Sequence, residues 1–251
     1  MVHFVGAGSG AIDLITVRGK NHLESADVII YAGSLVNKEI LIYAKKDCEI
    51  HNSAEMTLEE VLAVIIRADK ENKKTVRLHT GDSSIYGAIK EQMAELDKLG
   101  IEYDICPGVS SFCGAAASLK AEYTLPDVSQ TVIITRIQGR TPVPEKESIA
   151  SLAAHQATMI LFLSTGLLED LQTELIKGGY SEDTPAAIVY KATWDDEKIC
   201  RCTVSTLAET AEKNNITKTA LITVGNFLGN EFSRSKLYSP EFSTEYREAS
   251  K

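Results

Sequence analysis

The chain has 251 residues, enough for one large domain or two modest ones that each bury a core. With 44% hydrophobic and 24% charged residues it has the composition of an ordinary globular protein, which excludes long disorder. A formal net charge of −9 excludes a general attraction for nucleic acid or anionic membrane, and no run approaches the ~18–20 apolar residues of a membrane span.

VHFVGAG (2–8) reads as a strand running into glycines, and 13–26 as an amphipathic turn or helix. DVIIYAG (27–33) is a buried strand. Over 57–71, Thr57 and Glu60 have capping-box spacing and Leu58, Val61, Leu62, Ile65 and Ile66 line one face, which predicts a helix. TVRLHTG (75–81) is the next strand, 84–98 is predicted as a helix capped by Ser83 or Ser84, and IEYDICPG (101–108) follows as a strand. Repeated strand–helix–strand units imply a mainly parallel sheet covered on both faces.

At AEYTLPDV (121–128) a proline-bearing connector breaks the rhythm. QTVIITR (130–136), ATMILFLS (157–164), AAIVYKAT (186–193), KICRCTV (198–204) and ALITVGN (220–226) then read as strands, with helices over 147–154, 167–178 and 205–213. Strands outnumber crossovers here, so the second sheet is expected to be mixed, with a hairpin turning at Trp194, Asp195 and Asp196. The fold class is therefore α/β in two domains, 1–120 and 121–251, with a cleft between them and a polar tail from Phe232.

In an open α/β sheet, ligands settle beyond the carboxyl ends of the strands. VGAGSGA has glycines at 6, 8 and 10, not the G-x-G-x-x-G of a dinucleotide site, and the second strand ends Tyr31-Ala32-Gly33 without the acid that would hold a ribose. The segment is either a tight turn or a glycine wall against another ligand. In HTGDSSIYG, Gly81 permits a sharp turn and Asp82 offers an acceptor, for a ligand amine or ribose hydroxyl or for its own backbone. In PGVSSF, Ser110 and Ser111 offer hydroxyls and N–H groups at a helix start. Neither loop carries the G-K-[ST] of a phosphate loop, which argues against triphosphate hydrolysis.

TRIQGRTPVPE sets Arg136 and Arg140 either side of a glycine, suited to a carboxylate or simply to solvent. Lys191 and Trp194 follow in VYKATWDDEK, where the indole either stacks on a planar ligand or packs beneath the hairpin. His3, His22, His51, His79 and His155 are scattered, Cys200 and Cys202 are too few for a closed site, and no metal is expected. The five cysteines without a C-x-x-C, behind an N-terminus without a basic leader, suggest reduced thiols and a cytoplasmic protein.

Taken together, VGAGSG with DLIT, DVIIYAGSLV, RLHTGDSSIYGAI and PGVSSF resemble the tetrapyrrole (class III) S-adenosylmethionine methyltransferases. TLPDVSQTVIITRIQGRTPVPE, ATMILFLS, PAAIVYKATWDDEKI and TALITVG narrow the resemblance to the corrin-biosynthesis branch, across nearly the whole chain. It implies the two-domain tetrapyrrole methylase fold, a homodimer, a tetrapyrrole substrate and S-adenosyl-L-methionine as methyl donor, with no nucleic acid or membrane partner. Carried over by position, the donor meets Ser9, Gly81, Asp82, Ile85, Ser110 and Ser111, and, from the second domain, Leu163, Ala192 and Ala220. Arg136, Arg140 and Lys191 are the candidates for the acidic side chains of the substrate, and no catalytic residue is assigned. The family's first loop usually reads G-x-G-P-G-D and its second G-D-P. Ser9, Ala11 and Ser83 depart from that pattern, so the loops are less pre-organised. Alternatives are a methyltransferase of the same fold acting on another tetrapyrrole position, on RNA or on protein, and a non-catalytic tetrapyrrole-binding protein.

Overall fold

The computed structural model describes residues 1–250. The chain divides into two compact units, Met1–Ala117 with Lys191–Glu197, and Ser118–Tyr190 with Lys198–Lys251. The hairpin tip at 191–197 is grouped with the first unit.

In the first unit the order is β1 (Val2–Gly6), α1 (Val17–Ser25), β2 (Val28–Tyr31), β3 (Glu49–Asn52), α2 (Leu58–Lys70), β4 (Thr75–His79), α3 (Ile89–Leu99), β5 (Tyr103–Cys106) and α4 (Ser111–Leu119). The strands form one wholly parallel sheet, β3-β2-β4-β1-β5. β1, β2 and β4 are buried throughout, because a parallel sheet is covered on both faces. Val5, Ile29, Val76 and Leu78 pack into one core, and Phe4, Val28 and Ile30 pack with Val61, Ile65 and Leu96 of α2 and α3 into another.

The capping box of α2 forms: Glu60 N–H donates to Thr57 Oγ1 (3.3 Å) and Thr57 N–H to Glu60 Oε2 (2.7 Å). β3 carries no strand signal in its sequence, since EIHN is polar and alternates poorly, as an edge strand's residues are free to do.

The helix predicted over 84–98 begins only at Ile89. Ser84 N–H and its hydroxyl both donate to Asp82 Oδ1, which closes a local turn in competition with a helix. Tyr86 (φ +55°) and Ala88 (φ +48°) then adopt left-handed backbone, which an α-helix does not tolerate. Neither serine is a helix cap, and Ser83 Oγ is buried without a hydrogen bond.

The second unit carries β6 (Val132–Thr135), α5 (Ile149–Ala153), β7 (Thr158–Leu161), α6 (Leu168–Lys177), β8 (Pro185–Tyr190), β9 (Lys198–Thr203), α7 (Leu207–Lys213) and β10 (Ala220–Val224). Its sheet runs β6-β7-β10-β8-β9 and is mixed as expected: β6 and β7 are parallel and every other pairing is antiparallel. Met159, Leu161, Ile188 and Ile222 meet Leu171, Leu175 and Leu207 from the helices in one core. From Phe232 onward the described residues hold only a short 3-10 turn and an isolated bridge. No helix among the described residues is long and apolar enough to cross a membrane.

Candidate functional site at the strand ends

Because β1, β4 and β5 are parallel neighbours, the loops after Gly6, His79 and Cys106 leave the same edge of the sheet. Their backbones touch. A Cβ on Gly6 would lie 2.5 Å from Gly81 O and 2.7 Å from Gly108 Cα, and one on Gly108 would lie 2.2 Å from Gly81 O. Gly8 and Gly81, both with positive φ, exchange backbone hydrogen bonds of 3.2 and 2.9 Å. Glycine at 6 and 108 is thus a requirement of close approach between the protein's own loops.

Asp82 is the strut of this junction. Its Oδ2 accepts Gly108 N–H at 2.7 Å and its Oδ1 accepts Ser84 N–H at 2.9 Å. Burial alone would push the carboxyl up, but the donors from the Ser84 side chain, Gly108 and Ser84 N–H outweigh it and hold it below the usual carboxylate range. Asp82 therefore stays ionised and fixes the second loop against the third.

Ser9 and Ser110 are buried, and Ser110 O accepts Cys113 N–H (3.0 Å) and Gly114 N–H (3.3 Å) at the start of α4, which places Ser111 in the first turn. Ile85 is half-buried. Ala192 was expected from the second domain, and here the structure differs: the tip belongs with the first loop. Thr193 Oγ1 bonds Ser9 Oγ (2.9 Å) and accepts Ala11 N–H (3.1 Å), and Trp194 packs so closely that a Cβ on Gly10 would lie 2.0 Å from its Cδ1. The half-buried indole packs on the first loop.

In the second unit, β6 and β7 end side by side where β10 begins, so Arg136, Leu163 and Ala220 collect at one sheet edge. Ile137 N–H donates to Ser164 Oγ (3.1 Å), and Thr165 Oγ1 donates to Ala220 O (3.2 Å). Leu163 is 60% exposed and has a φ of +51°; Thr219, before Ala220, has +56°, and Lys191 and Thr193, flanking Ala192, have +47° and +68°. Non-glycine residues held in this region carry strain and cluster at functional sites.

The cationic candidates differ in availability. Arg136 folds back onto its own loop, donating to the carbonyls of Ile137, Thr141 and Pro142. Lys191 pairs with Asp196 at 2.5 Å and lies over the Trp194 ring at 5.0 Å. Arg140 is exposed and makes no ion pair among the described residues. At the opposite, strand-start end, His3 Nδ1 bonds Asp104 Oδ1 at 2.7 Å and stacks on His22 at 4.1 Å, a potential cation-binding cluster that histidine spacing concealed. The β1–β5 register sets His3 opposite Asp104, and α1 brings His22 to them.

A doubly covered parallel sheet with glycine-walled loops at its carboxyl edge, joined to a mixed-sheet unit, defines an α/β small-molecule enzyme fold. The chain belongs to the Tetrapyrrole (Corrin/Porphyrin) Methylases, whose family model matches residues 1–208. It is 57% identical over 251 residues to the cobalt-precorrin-4 C(11)-methyltransferase of Methanocaldococcus jannaschii, covering 100% of this chain and 97% of that one. To the precorrin-4 C(11)-methyltransferase of Mycobacterium tuberculosis it is 42% identical, covering 95% and 96%. The X-ray structure of a cobalamin biosynthetic enzyme, cobalt precorrin-4 methyltransferase, superposes with a TM-score of 0.89 at 47% identity, covering 91% of this chain and 96% of that one.

Proposed function

We propose that the protein is an S-adenosylmethionine-dependent C-methyltransferase of corrin biosynthesis, methylating C-11 of cobalt-precorrin-4 or precorrin-4. The observation that carries this reading is full-length similarity to methyltransferases of that name, in a chain whose three first-unit loops meet in backbone contact.

The residues present suit a donor that combines an adenosine, an amino-acid zwitterion and a sulfonium. Ser110 and Ser111 at the start of α4 offer polar groups, Ile85 offers apolar surface, and the Lys191 charge beside Ala192 is paired with Asp196. When bound, S-adenosyl-L-methionine supplies an electrophilic methyl group. Under this reading Ser9, Gly81, Asp82, Ile85, Ser110, Ser111 and Ala192, with Leu163 and Ala220, hold the donor, and Arg140 meets an acidic substrate side chain with Arg136 and Lys191 in support. Asp82 acts indirectly, by locking two loops in register. Positioning is the main catalytic task, since holding the reacting atoms in line is worth about 7–11 kcal/mol. The working protein is proposed to be a cytoplasmic homodimer.

The test is mass spectrometry with fragmentation on product made from labelled donor and either cobalt-containing or metal-free tetramethylated intermediate. One added methyl at C-11 is expected, and preference between the two substrates assigns the pathway. A methyl at another ring position, or transfer only to RNA or protein, refutes the C-11 reading.

A further inference from the structure

On the α2–α3 side of the first sheet a cavity of about 290 Å³ opens beside β4. Alternate strand residues share a face, and both Arg77 and His79 line it. Arg77 is only 6% exposed, yet no carboxylate among the described residues pairs with it. Its Nε donates to Gln92 Oε1 (3.0 Å) and its Nη1 to Ile30 O (3.1 Å), both neutral, and Nη2 donates to nothing among the described residues. Burial alone acts on this guanidinium and lowers its pKa to about 10, so it remains a cation. A buried cation without a counter-charge is costly, and buried charges are ordinarily paired.

His79 is 4% exposed, and its Nε2 is buried without a hydrogen bond. Burial first, and the Arg77 charge second, drive its pKa down to about 3, so the imidazole is neutral and carries one N–H to donate. Two unused donors therefore lie two residues apart on one strand face. Met56 and Val61 give the same cavity an apolar wall, and its other charged residue, Glu91, is exposed.

We propose that this cavity is a subsite for a carboxylate on a short aliphatic arm, one oxygen accepting from Arg77 Nη2 and the other from the His79 imidazole. A two-oxygen anion matches two donors, and the methylenes of the arm match Met56 and Val61. The assignment of that carboxylate to an acidic side chain of the tetrapyrrole rests on the proposed function. A free small carboxylate is the other source of the same chemistry.

The test uses the full chain and its Arg77→Met and His79→Leu variants. Three readouts are taken: S-adenosylhomocysteine affinity by calorimetry, affinity for the cobalt-containing tetrapyrrole acid by absorbance titration, and the thermal shift given by propionate. Both variants are expected to keep donor-product affinity within about twofold. Arg77→Met should weaken the tetrapyrrole acid about tenfold or more, His79→Leu about threefold, and the propionate shift should vanish in Arg77→Met. A propionate shift lost with unchanged tetrapyrrole affinity would assign the subsite to a free carboxylate. Wild-type affinity for the tetrapyrrole acid together with a wild-type propionate response, in either folded variant, overturns the proposal. If Arg77→Met does not fold, His79→Leu decides, because it removes a ring that makes no hydrogen bond. A wild-type protein that binds no tetrapyrrole refutes the proposed function, while the propionate arm still decides the subsite.

Discussion

Replacing Asp82 by alanine removes the acceptor of Gly108 N–H (2.7 Å) and Ser84 N–H (2.9 Å) and of the Ser84 hydroxyl. A hydrogen bond to a charged group is worth about 1.5–3 kcal/mol, and the carboxylate is half-buried, so the whole loss is set at about 2–3 kcal/mol. For a chain of this length that lowers the melting temperature by roughly 5–10 °C. Asp82→Asn keeps one acceptor oxygen and should fall between, near half the loss. Because the glycine backbones pack on one another, freeing Gly108 loosens the junction of the second and third loops, and S-adenosylhomocysteine binding should weaken about tenfold or more. Scanning calorimetry and titration calorimetry on the three proteins measure both effects. An alanine variant that melts within about 1 °C of wild type and binds the donor product equally well would falsify the strut role.

Gly6→Ala places a methyl 2.5 Å from Gly81 O and should cost more than about 3 kcal/mol, whereas Gly100→Ala, with φ +68° but open space, should cost only about 1–2 kcal/mol in urea unfolding. Thr193→Val removes the Ser9 and Ala11 bonds, so amide exchange in 191–197 should speed up at a stability loss of about 1–2 kcal/mol, and an unchanged exchange rate refutes the tip's attachment to the first loop. The Asp27 carboxyl lies below its ordinary range because the Lys45 side chain and Lys74 N–H donate to it, so its share of stability is complete above the unfolded value near about pH 4 and disappears as pH falls through the folded one. Asp27→Asn should therefore flatten the acid limb of a stability–pH curve and leave its neutral-to-alkaline shape unchanged.

Much of the fold is written locally. The Thr57–Glu60 box, the apolar face of α2 and the buried runs of β1, β2 and β4 follow from spacing and hydropathy. Residues 84–88 misled because helix propensity lost to a side-chain turn at Asp82, a competition that periodicity does not register. At the site, residue types announced the loops, yet both Asp82 oxygens are occupied by partners, one of them on a different loop, which no local pattern encodes. Arg77 and His79 read simply as part of a strand, since their significance lies in a counter-charge that is missing. The His3–Asp104 pair depends on parallel register, and Ala192 sits on a hairpin tip grouped with the first unit.

That tip has a consequence for synthesis. The first unit is interrupted: Lys191–Glu197 completes it after an intervening stretch that builds most of another sheet. A ribosome adding about 5–20 residues per second therefore leaves the nascent first unit without its Thr193 clasp and its Trp194 cover over Gly10 for several seconds. During that interval the glycine loop that carries Ser9 is unsecured. Maturation of the amino-terminal half thus waits on the carboxyl-terminal half, and a fragment ending near Ala117 should emerge with a strand-end junction more prone to exchange and proteolysis than that of the finished chain.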